Sequence, residues 1–280
     1  MNTTTELLKD IDLTLTPITI FTGTNGCGKT KLLETIYNQL KVNEDLVLFY
    51  PIDRGRSNPE GSFSCFLLRH YEERLDLINR IIPKFLPSIK QLREDNKRLV
   101  IDKDNLTIEF RDLSKGEYKL LTVLGDIFYN LSKLQSINPL RAEAIVLIDE
   151  IELHLHPSIQ ANICSLLRTT FYNCRFILTT NSPLTLNNER ELIVYKLEQG
   201  KIRQINLQYG EDVNTVLLQV FNTSSRNEAT QIELNDLLDL IQSNELNKAK
   251  ELIEELKGKL SLNNVELIKA NLLLKKQQLK

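Results

Sequence analysis

The chain has 280 residues, of which 41% are hydrophobic, and its 35 Lys and Arg residues against 37 Asp and Glu residues give a net charge of −2. This composition predicts a globular protein, and it excludes both a disordered tail and a polycation that binds nucleic acid by bulk charge. The cysteines are scattered and no apolar run approaches the roughly 20 residues that cross a bilayer, so we expect a cytoplasmic protein without membrane contact.

The chain is predicted to begin with a strand, a glycine loop and a helix. Residues 13–22 become increasingly apolar, as a strand entering a buried sheet does, and helical spacing of apolar residues follows the loop. The loop itself, residues 23–30, matches GxxxxGK[ST] at every fixed position. In this pattern main-chain N–H groups surround phosphate, the lysine reaches the β- and γ-phosphates, and the hydroxyl ligates Mg²⁺. The alternative is a chance glycine turn before a helix. The residues predicted to bind ATP are Gly23, Asn25, Gly26, Cys27, Gly28, Lys29 and Thr30, with Thr30 also on the metal.

The middle of the chain is predicted to carry an insertion. Residues 46–50 form a second predicted strand. Apolar residues then recur at helical intervals over residues 64–96, which predicts a compact helical lobe spanning about 62–98. Residues 99–110 predict two short strands joined by a turn at 103–105.

Two apolar strands follow, and each ends in polar residues. Residues 145–148 lead into Asp149 and Glu150, and residues 176–178 lead into 179–181. Such runs are typical of a parallel sheet that is covered on both faces. After a glycine loop, we expect Asp149 to ligate Mg²⁺ and Glu150 to take a proton from an attacking water. The alternative is a strand that ends in two acidic residues at a solvated turn.

Two shorter motifs occur near these predicted strands, one at residues 114–117 and one at the histidines 154 and 156. Ser114 and Glu117 stand at the spacing of a capping box before a long predicted helix. His154 and His156 could bind a metal as a His-x-His pair, but no cysteine or carboxylate cluster completes such a site.

The last part of the chain changes character. Strands are predicted at 192–197 and 202–206, but beyond Gly210 only amphipathic helices are indicated. We therefore predict a domain over 1–210 and a helical region over 211–280 that binds a partner or forms a dimer. The alternative is that these helices only cover the core.

Several of these motifs resemble those of ABC-type ATPases. Residues 113–117, Leu-Ser-Lys-Gly-Glu, resemble the LSGGQ signature, and residues 149–157 resemble the DExExxLHP sequence of the recombination, chromosome-maintenance and overcoming-lysogenization-defect groups. Residues 179–183 resemble the T-H-S-P switch, with Asn181 in place of histidine. No glutamine follows the second strand, and Arg54 and Arg56 stand where the Q-loop belongs.

This resemblance implies an α/β fold of the P-loop NTPase type, with a mixed sheet flanked by helices, a helical insertion and a small C-terminal helical domain. It also implies that two copies meet head to tail, so that Ser114, Lys115 and Gly116 of one copy bind the γ-phosphate held by the other. Glu150, Lys29 and Asn181 form the implied catalytic set. Because asparagine is neutral and cannot change charge as imidazole does, we expect slow hydrolysis.

The C-terminal region indicates a more specific group within this family. Residues 209–217 and 244–252 resemble the C-terminal part of ATPases from Septu-type and retron-associated anti-phage systems. This implies an ATPase that regulates a separate HNH-type nuclease in anti-phage defence, as a dimer or a higher oligomer, with DNA as a further candidate partner. Two alternatives stay open: a DNA repair or recombination ATPase, and a scaffold that binds ATP and hydrolyses it slowly or not at all.

Overall fold

The computed structural model divides the chain into two compact units, one ending at Phe221 and one beginning at Asn222. The residues that it describes are 16–42, 44, 46–52, 71–96, 98–134, 138–186, 188–223, 227–261 and 264–278. The predicted strand residues 13–15, the first part of the predicted insertion, and the Arg54 and Arg56 segment therefore lie outside the described residues.

A six-stranded sheet forms the centre of the first unit. From one edge to the other, its strands are β2 (Val47–Tyr50), β6 (Ala144–Ile148), β7 (Cys174–Thr180), β1 (Ile18–Thr22), β8 (Leu192–Glu198) and β9 (Lys201–Ile205). All neighbouring strands are parallel except the antiparallel pair of β8 and β9 at one edge. This arrangement confirms the predicted mixed α/β sheet.

Helices cover both faces of this sheet. Every residue of β1 and β6 is buried, as the continuous apolar runs predict for strands covered on both faces. One face packs on α1 (Lys29–Leu40), and the other belongs to a larger core that includes α3 (Lys115–Leu134). The shorter helices α4 (Pro157–Gln160) and α5 (Ile163–Thr170) follow β6, and α6 (Val213–Phe221) follows β9.

The insertion is not entirely helical, and this part of the prediction was wrong. Helix α2 (Tyr71–Phe85) is present, but the segment after it is β3 (Ile89–Asp95), which pairs antiparallel with β4 (Arg98–Lys103). Strand β5 (Leu106–Ile108) completes a three-stranded sheet. A register shift between Ile89 and Gln91 places Ile89 and Leu92 on the same buried face. This bulge gives the strand an i, i+3 apolar spacing, which imitates a helix. The predicted turn at 103–105 is present between β4 and β5.

The second unit contains three helices among its described residues, α7 (Glu228–Gln242), α8 (Leu246–Lys259) and α9 (Val265–Gln278). They enclose an apolar cluster that draws on all three helices. The unit begins after Phe221 instead of near Gly210, because α6 buries Val216 and Val220 in the core of the first unit. In the parts of the chain that the structure describes, no helix is both long and apolar enough to cross a membrane.

Candidate nucleotide site

The predicted site residues lie at one edge of the main sheet. Strands β1, β6 and β7 are parallel neighbours, with Thr22 opposite Thr180 and Ile148 opposite Leu178. The segments that follow these strands therefore start beside one another, at the edge where open α/β sheets bind ligands. The glycine loop, Asp149 and Asn181 are brought together in this way.

The glycine loop needs its missing side chains at two points. A Cβ atom on Gly23 would lie 2.3 Å from the carbonyl oxygen of Leu197, so no other residue fits there without a shift. Gly28, which immediately precedes α1, has a φ of 102°, in the left-handed region that glycine tolerates. The loop therefore presents the first N–H groups of α1 toward the end of the sheet, which is the arrangement that binds anions.

Lys29 is held by the loop that it is predicted to serve. The side chain is only 6% exposed, and its ammonium donates to the carbonyl oxygens of Gly23 at 2.8 Å and Thr24 at 3.1 Å. A buried ammonium needs such acceptors because its desolvation is costly. The positive charge thus lies at the loop, where phosphate oxygens are expected.

Asp149 joins the glycine loop to the sheet. Its side chain is 0% exposed, and Oδ2 accepts a hydrogen bond from the Thr30 hydroxyl at 2.6 Å. Its other oxygen, Oδ1, accepts one from the Thr179 hydroxyl at the end of β7. A carboxylate and a hydroxyl side by side are a hard oxygen set of the kind that Mg²⁺ prefers. Thr30 and Asp149 therefore fit the predicted metal role.

Glu150 follows at a strained position. Its φ of 44° is rare for a residue with a side chain, and its N–H donates to Thr179 Oγ1 at 2.8 Å. Burial and the neighbouring Glu152 and Asp149 carboxylates raise the pKa of the Glu150 carboxyl, against the opposing charges of Lys29 and Lys119. A carboxylate with a raised pKa is a better proton acceptor than an ordinary one.

Asn181 links Glu150 to the glycine loop. Its Nδ2 donates to Asn25 Oδ1 at 3.1 Å and to Glu150 Oε1 at 3.4 Å. Its main-chain N–H donates to Glu152 Oε1 at 2.7 Å, which fixes the start of the segment after β7. The amide thus spans the space between the loop and the predicted base.

The signature-like segment forms the start of α3. The Ser114 hydroxyl accepts from the N–H of Glu117 at 3.3 Å, and the Glu117 carboxylate accepts from the N–H of Ser114 at 3.1 Å. Both hydrogen bonds of the predicted capping box are therefore present. Burial would raise the pKa of Glu117, but hydrogen bonds from Lys103 and Ser114 outweigh it and lower this pKa.

Ser114 and Lys115 are exposed, whereas Gly116 is buried against the main chain of His154. Among the described residues, no hydrogen bond joins Ser114, Lys115 or Gly116 to the glycine loop of the same chain. The exposed start of α3 is therefore open to contact from outside the chain.

The histidine pair has a structural role. The Nδ1 atom of His156 accepts from the N–H of Ser158 at 3.3 Å and caps α4, and His154 is exposed with a φ of 64°. In the described part of the chain, no group of three or more metal-ligating side chains is present. These observations favour the helix cap over a metal site.

Sequence reasoning gave no role to Thr179, Lys119 and Glu152, which the structure places around Glu150. The pairing of adjacent parallel strands could have indicated Thr179, because it lies at the end of β7, beside the end of β6 that leads into Asp149. Lys119 gave no signal, because a lysine on an amphipathic helix usually faces solvent. Its ammonium instead donates to the Glu150 carbonyl oxygen at 2.8 Å.

Comparisons with known proteins show which families this chain resembles. A family model described as "AAA domain, putative AbiEii toxin, Type IV TA system" matches residues 51–187. The chain is 33% identical over 198 residues to "Retron Ec83 probable ATPase" of Escherichia coli, covering 69% of this chain and 33% of that protein. It is 29% identical over 275 residues to "Septu protein PtuA" of Bacillus mycoides, covering 86% of this chain and 36% of that protein.

The comparison with solved structures includes the SmcHead bound to the C-winged helix domain of ScpA. That structure gives a TM-score of 0.46 at 13% identity and covers 68% of this chain and 90% of its own. The sequence comparisons confirm the resemblance predicted from the motifs and the tail, because the curated relatives carry the names of retron ATPases and Septu PtuA. The chain spans about a third of the length of these curated relatives.

Proposed function

We propose that this chain is an ABC-type ATPase that binds ATP between two copies of itself. The observation that carries the proposal is the cluster in which Asp149 accepts hydrogen bonds from both Thr30 and Thr179, directly beside a glycine loop. A buried carboxylate tied to a loop hydroxyl is costly to maintain unless a ligand uses it. Phosphate with Mg²⁺ is the ligand that this combination of groups suits.

The geometry supports the following roles. The loop N–H groups and Lys29 bind the phosphates, and Thr30 and Asp149 hold Mg²⁺. Bound there, Mg²⁺ supplies neutralisation of the negative charge on the phosphate oxygens. Glu150 accepts the proton of the attacking water, and Asn181 orients Glu150 and the γ-phosphate.

The second half of each site comes from the other copy in this proposal. Ser114 and Gly116 stand at the start of α3, where the Ser114 hydroxyl and main-chain N–H groups can bind the γ-phosphate in trans, with Lys115 beside them. Support comes from the exposure of Ser114 and Lys115 and from their lack of hydrogen bonds to the chain's own glycine loop. ATP then closes the dimer, because only the closed state engages both halves.

We place this ATPase in anti-phage defence, as a cytoplasmic regulator of a separate HNH-type nuclease. The similarity to "Retron Ec83 probable ATPase" and "Septu protein PtuA" supports the context. The nuclease partner and the assembly into a dimer or higher oligomer come from the family resemblance. The helical unit is the proposed docking region for such a partner.

ATP turnover by the purified chain tests the proposal. The assay compares the chain alone, with DNA, and with the product of the adjacent gene, which is also tested for co-purification. We expect ATP turnover that the neighbouring product changes. Lys29→Ala abolishes nucleotide binding, whereas Lys31→Ala, an exposed neighbour on α1, leaves it unchanged. Equal binding by the two variants contradicts the assignment of the loop.

A second candidate function is an ATP-binding scaffold, which Asn181 favours. The asparagine amide beside Glu150 stays neutral, whereas the imidazole of a histidine could gain or lose a proton there. This candidate predicts nucleotide-dependent dimerisation without turnover under any of the conditions above. A repair or recombination ATPase instead predicts stimulation by DNA with no partner protein present.

A further inference from the structure

The segment that follows β6 is strained at two positions. Glu150 has a φ of 44° and His154 a φ of 64°, although both residues carry side chains. Such conformations cost free energy and persist only where surrounding groups hold them in place. The contacts at these two residues therefore show what maintains the geometry of the proposed base.

Helix α3 contacts the main chain at both positions. In its first turn, a Cβ atom on Gly116 would lie 2.1 Å from the His154 carbonyl oxygen, so the helix lies directly against that residue. At the next turn, the Lys119 ammonium donates to the Glu150 carbonyl oxygen at 2.8 Å and reaches the Asp149 carbonyl oxygen at 3.5 Å.

The peptide that follows Glu150 is thereby held from two sides. Its carbonyl oxygen accepts from Lys119 at 2.8 Å and from the N–H of Leu153 at 3.1 Å. Its N–H, which belongs to Ile151, donates to the Thr179 carbonyl oxygen at 3.1 Å. The sheet holds the N–H side of this peptide, and on the carbonyl side Lys119 adds a contact from α3 to the local hydrogen bond from Leu153. Because the direction of the Glu150 side chain depends on its main-chain torsions, a displacement of α3 also displaces the carboxylate.

From this geometry we infer that Lys119 is a positioning residue for Glu150, and that α3 couples the two nucleotide sites of a dimer. The start of α3 carries Ser114 and Gly116, which contact the nucleotide of the other copy, and Lys119 one turn later fixes the base of its own copy. Engagement in trans therefore sets the position of Glu150 in cis. The inference rests on the proposed function, since it assigns regulation to that same site.

Lys119 suits this task because of the chemistry of its side chain. Its ammonium carries three donors, enough to bind main-chain carbonyl oxygens while remaining close to the acidic groups of residues 149–152. Burial lowers the pKa of the Lys119 ammonium, and the nearby charges of Glu152, Glu150 and Asp149 oppose this lowering. The positive charge in turn offsets the mutual repulsion of these carboxylates. A residue that only filled space at this point would need none of these donors.

The test compares Lys119→Met, which keeps the stem but removes the donors, with Lys119→Arg, which retains donors. Lys133→Met is the matched control, because Lys133 lies on the same helix but packs over the Tyr129 ring, 3.8 Å from its centroid. Each full-length variant is assayed for the KM and kcat of ATP hydrolysis, and for hydrogen exchange of the amides of Ile151, Leu153 and Leu155. A thermal melt verifies folding.

We expect Lys119→Met to lower kcat by about 100-fold, because a misplaced base no longer meets the water, with KM within about twofold of the wild-type value. Exchange at the three amides becomes faster, Lys119→Arg restores most of both properties, and Lys133→Met changes neither. Unchanged exchange in Lys119→Met overturns the inference, and so does faster exchange at unaltered kcat. If the wild-type chain hydrolyses no ATP, the proposed function fails, while the exchange measurement still decides whether Lys119 holds the segment.

Discussion

The two units bury very different residues. At the edge of the main sheet, the first unit buries Lys29, Asp149 and Thr179, and each of these side chains makes hydrogen bonds. The described residues of the second unit enclose only leucine, isoleucine and alanine in their buried cluster. Because burial of polar groups costs free energy, a fold keeps them only where they are satisfied and useful.

This difference separates chemistry from stability within one chain. The helical unit gains its free energy of folding from the transfer of apolar side chains out of water. The edge of the main sheet gains less free energy in this way, because charged and hydroxyl groups are buried there at fixed positions. Substitutions of the polar groups at this edge should therefore act mainly on turnover, and substitutions in the apolar cluster of the helical unit should act on stability.

The largest effect is expected for Glu150→Gln. Without the carboxylate no group takes the proton of the attacking water, so ATP turnover should fall by about 10²- to 10⁴-fold while nucleotide binding persists. A turnover assay measures the loss of hydrolysis. Sedimentation with ATP measures assembly, because trapped nucleotide should stabilise the dimer. Glu251→Gln, an exposed residue of α8, is the control. If Glu150→Gln leaves turnover and assembly unchanged, the catalytic assignment is wrong.

In the helical unit, Leu237→Ala should reduce stability without affecting chemistry. The side chain is 0% exposed, so the cavity should cost about 2–5 kcal/mol in the free energy of unfolding. Denaturant unfolding measures this loss, and ATP binding should stay at the wild-type value. Leu272→Ala on α9, where the side chain is 62% exposed, should cost less than about 0.5 kcal/mol. Similar losses from both substitutions would contradict the apolar core described for this unit.

Glycine-to-alanine substitutions in helices should have opposite signs in the two units. At Gly116 the new Cβ would clash with the His154 main chain, so we expect a loss of about 1–3 kcal/mol and a lower turnover. At Gly258 in α8 the Cβ meets nothing within 4 Å, and alanine should add about 0.5–1 kcal/mol. Thermal melting of both variants tests the two predictions. A Gly116→Ala variant as stable as wild type would contradict the close approach of α3 to the His154 main chain.

The smallest effect is expected for Asn181→His. An imidazole that can change its charge beside Glu150 should raise ATP turnover by about tenfold at most, if the asparagine limits the wild-type rate. The comparison is made under the stimulus that activates the wild-type chain. Equal rates for the two proteins would refute the prediction of slow hydrolysis.

Much of the site could be predicted, because its signal is local. The spacing of residues 23–30 and the acidic pair after β6 each specify a conformation and a chemistry together. Their meeting at one edge follows from the order of parallel strands. The site assignments themselves stay predictions until the variants above are measured.

What escaped the sequence depends on contacts between distant segments or on a local irregularity. Lys119 and Glu150 are far apart in the chain, and nothing in either segment indicates their contact. The bulge after Ile89 gives β3 a helical spacing, because an extra residue shifts the side chains that follow to the other face. The first unit ends at Phe221, beyond the boundary predicted near Gly210. The sequence could not indicate this, because the amphipathic pattern of α6 does not reveal which core the helix joins.

The most direct test of the central claim is the structure of the Glu150→Gln chain with ATP and Mg²⁺. We predict that each ATP lies between two copies, with its phosphates on residues 23–30 of one and its γ-phosphate within hydrogen-bond distance of Ser114 or Gly116 of the other. If residues 113–117 face no nucleotide in any contact between copies, the proposed shared site is wrong.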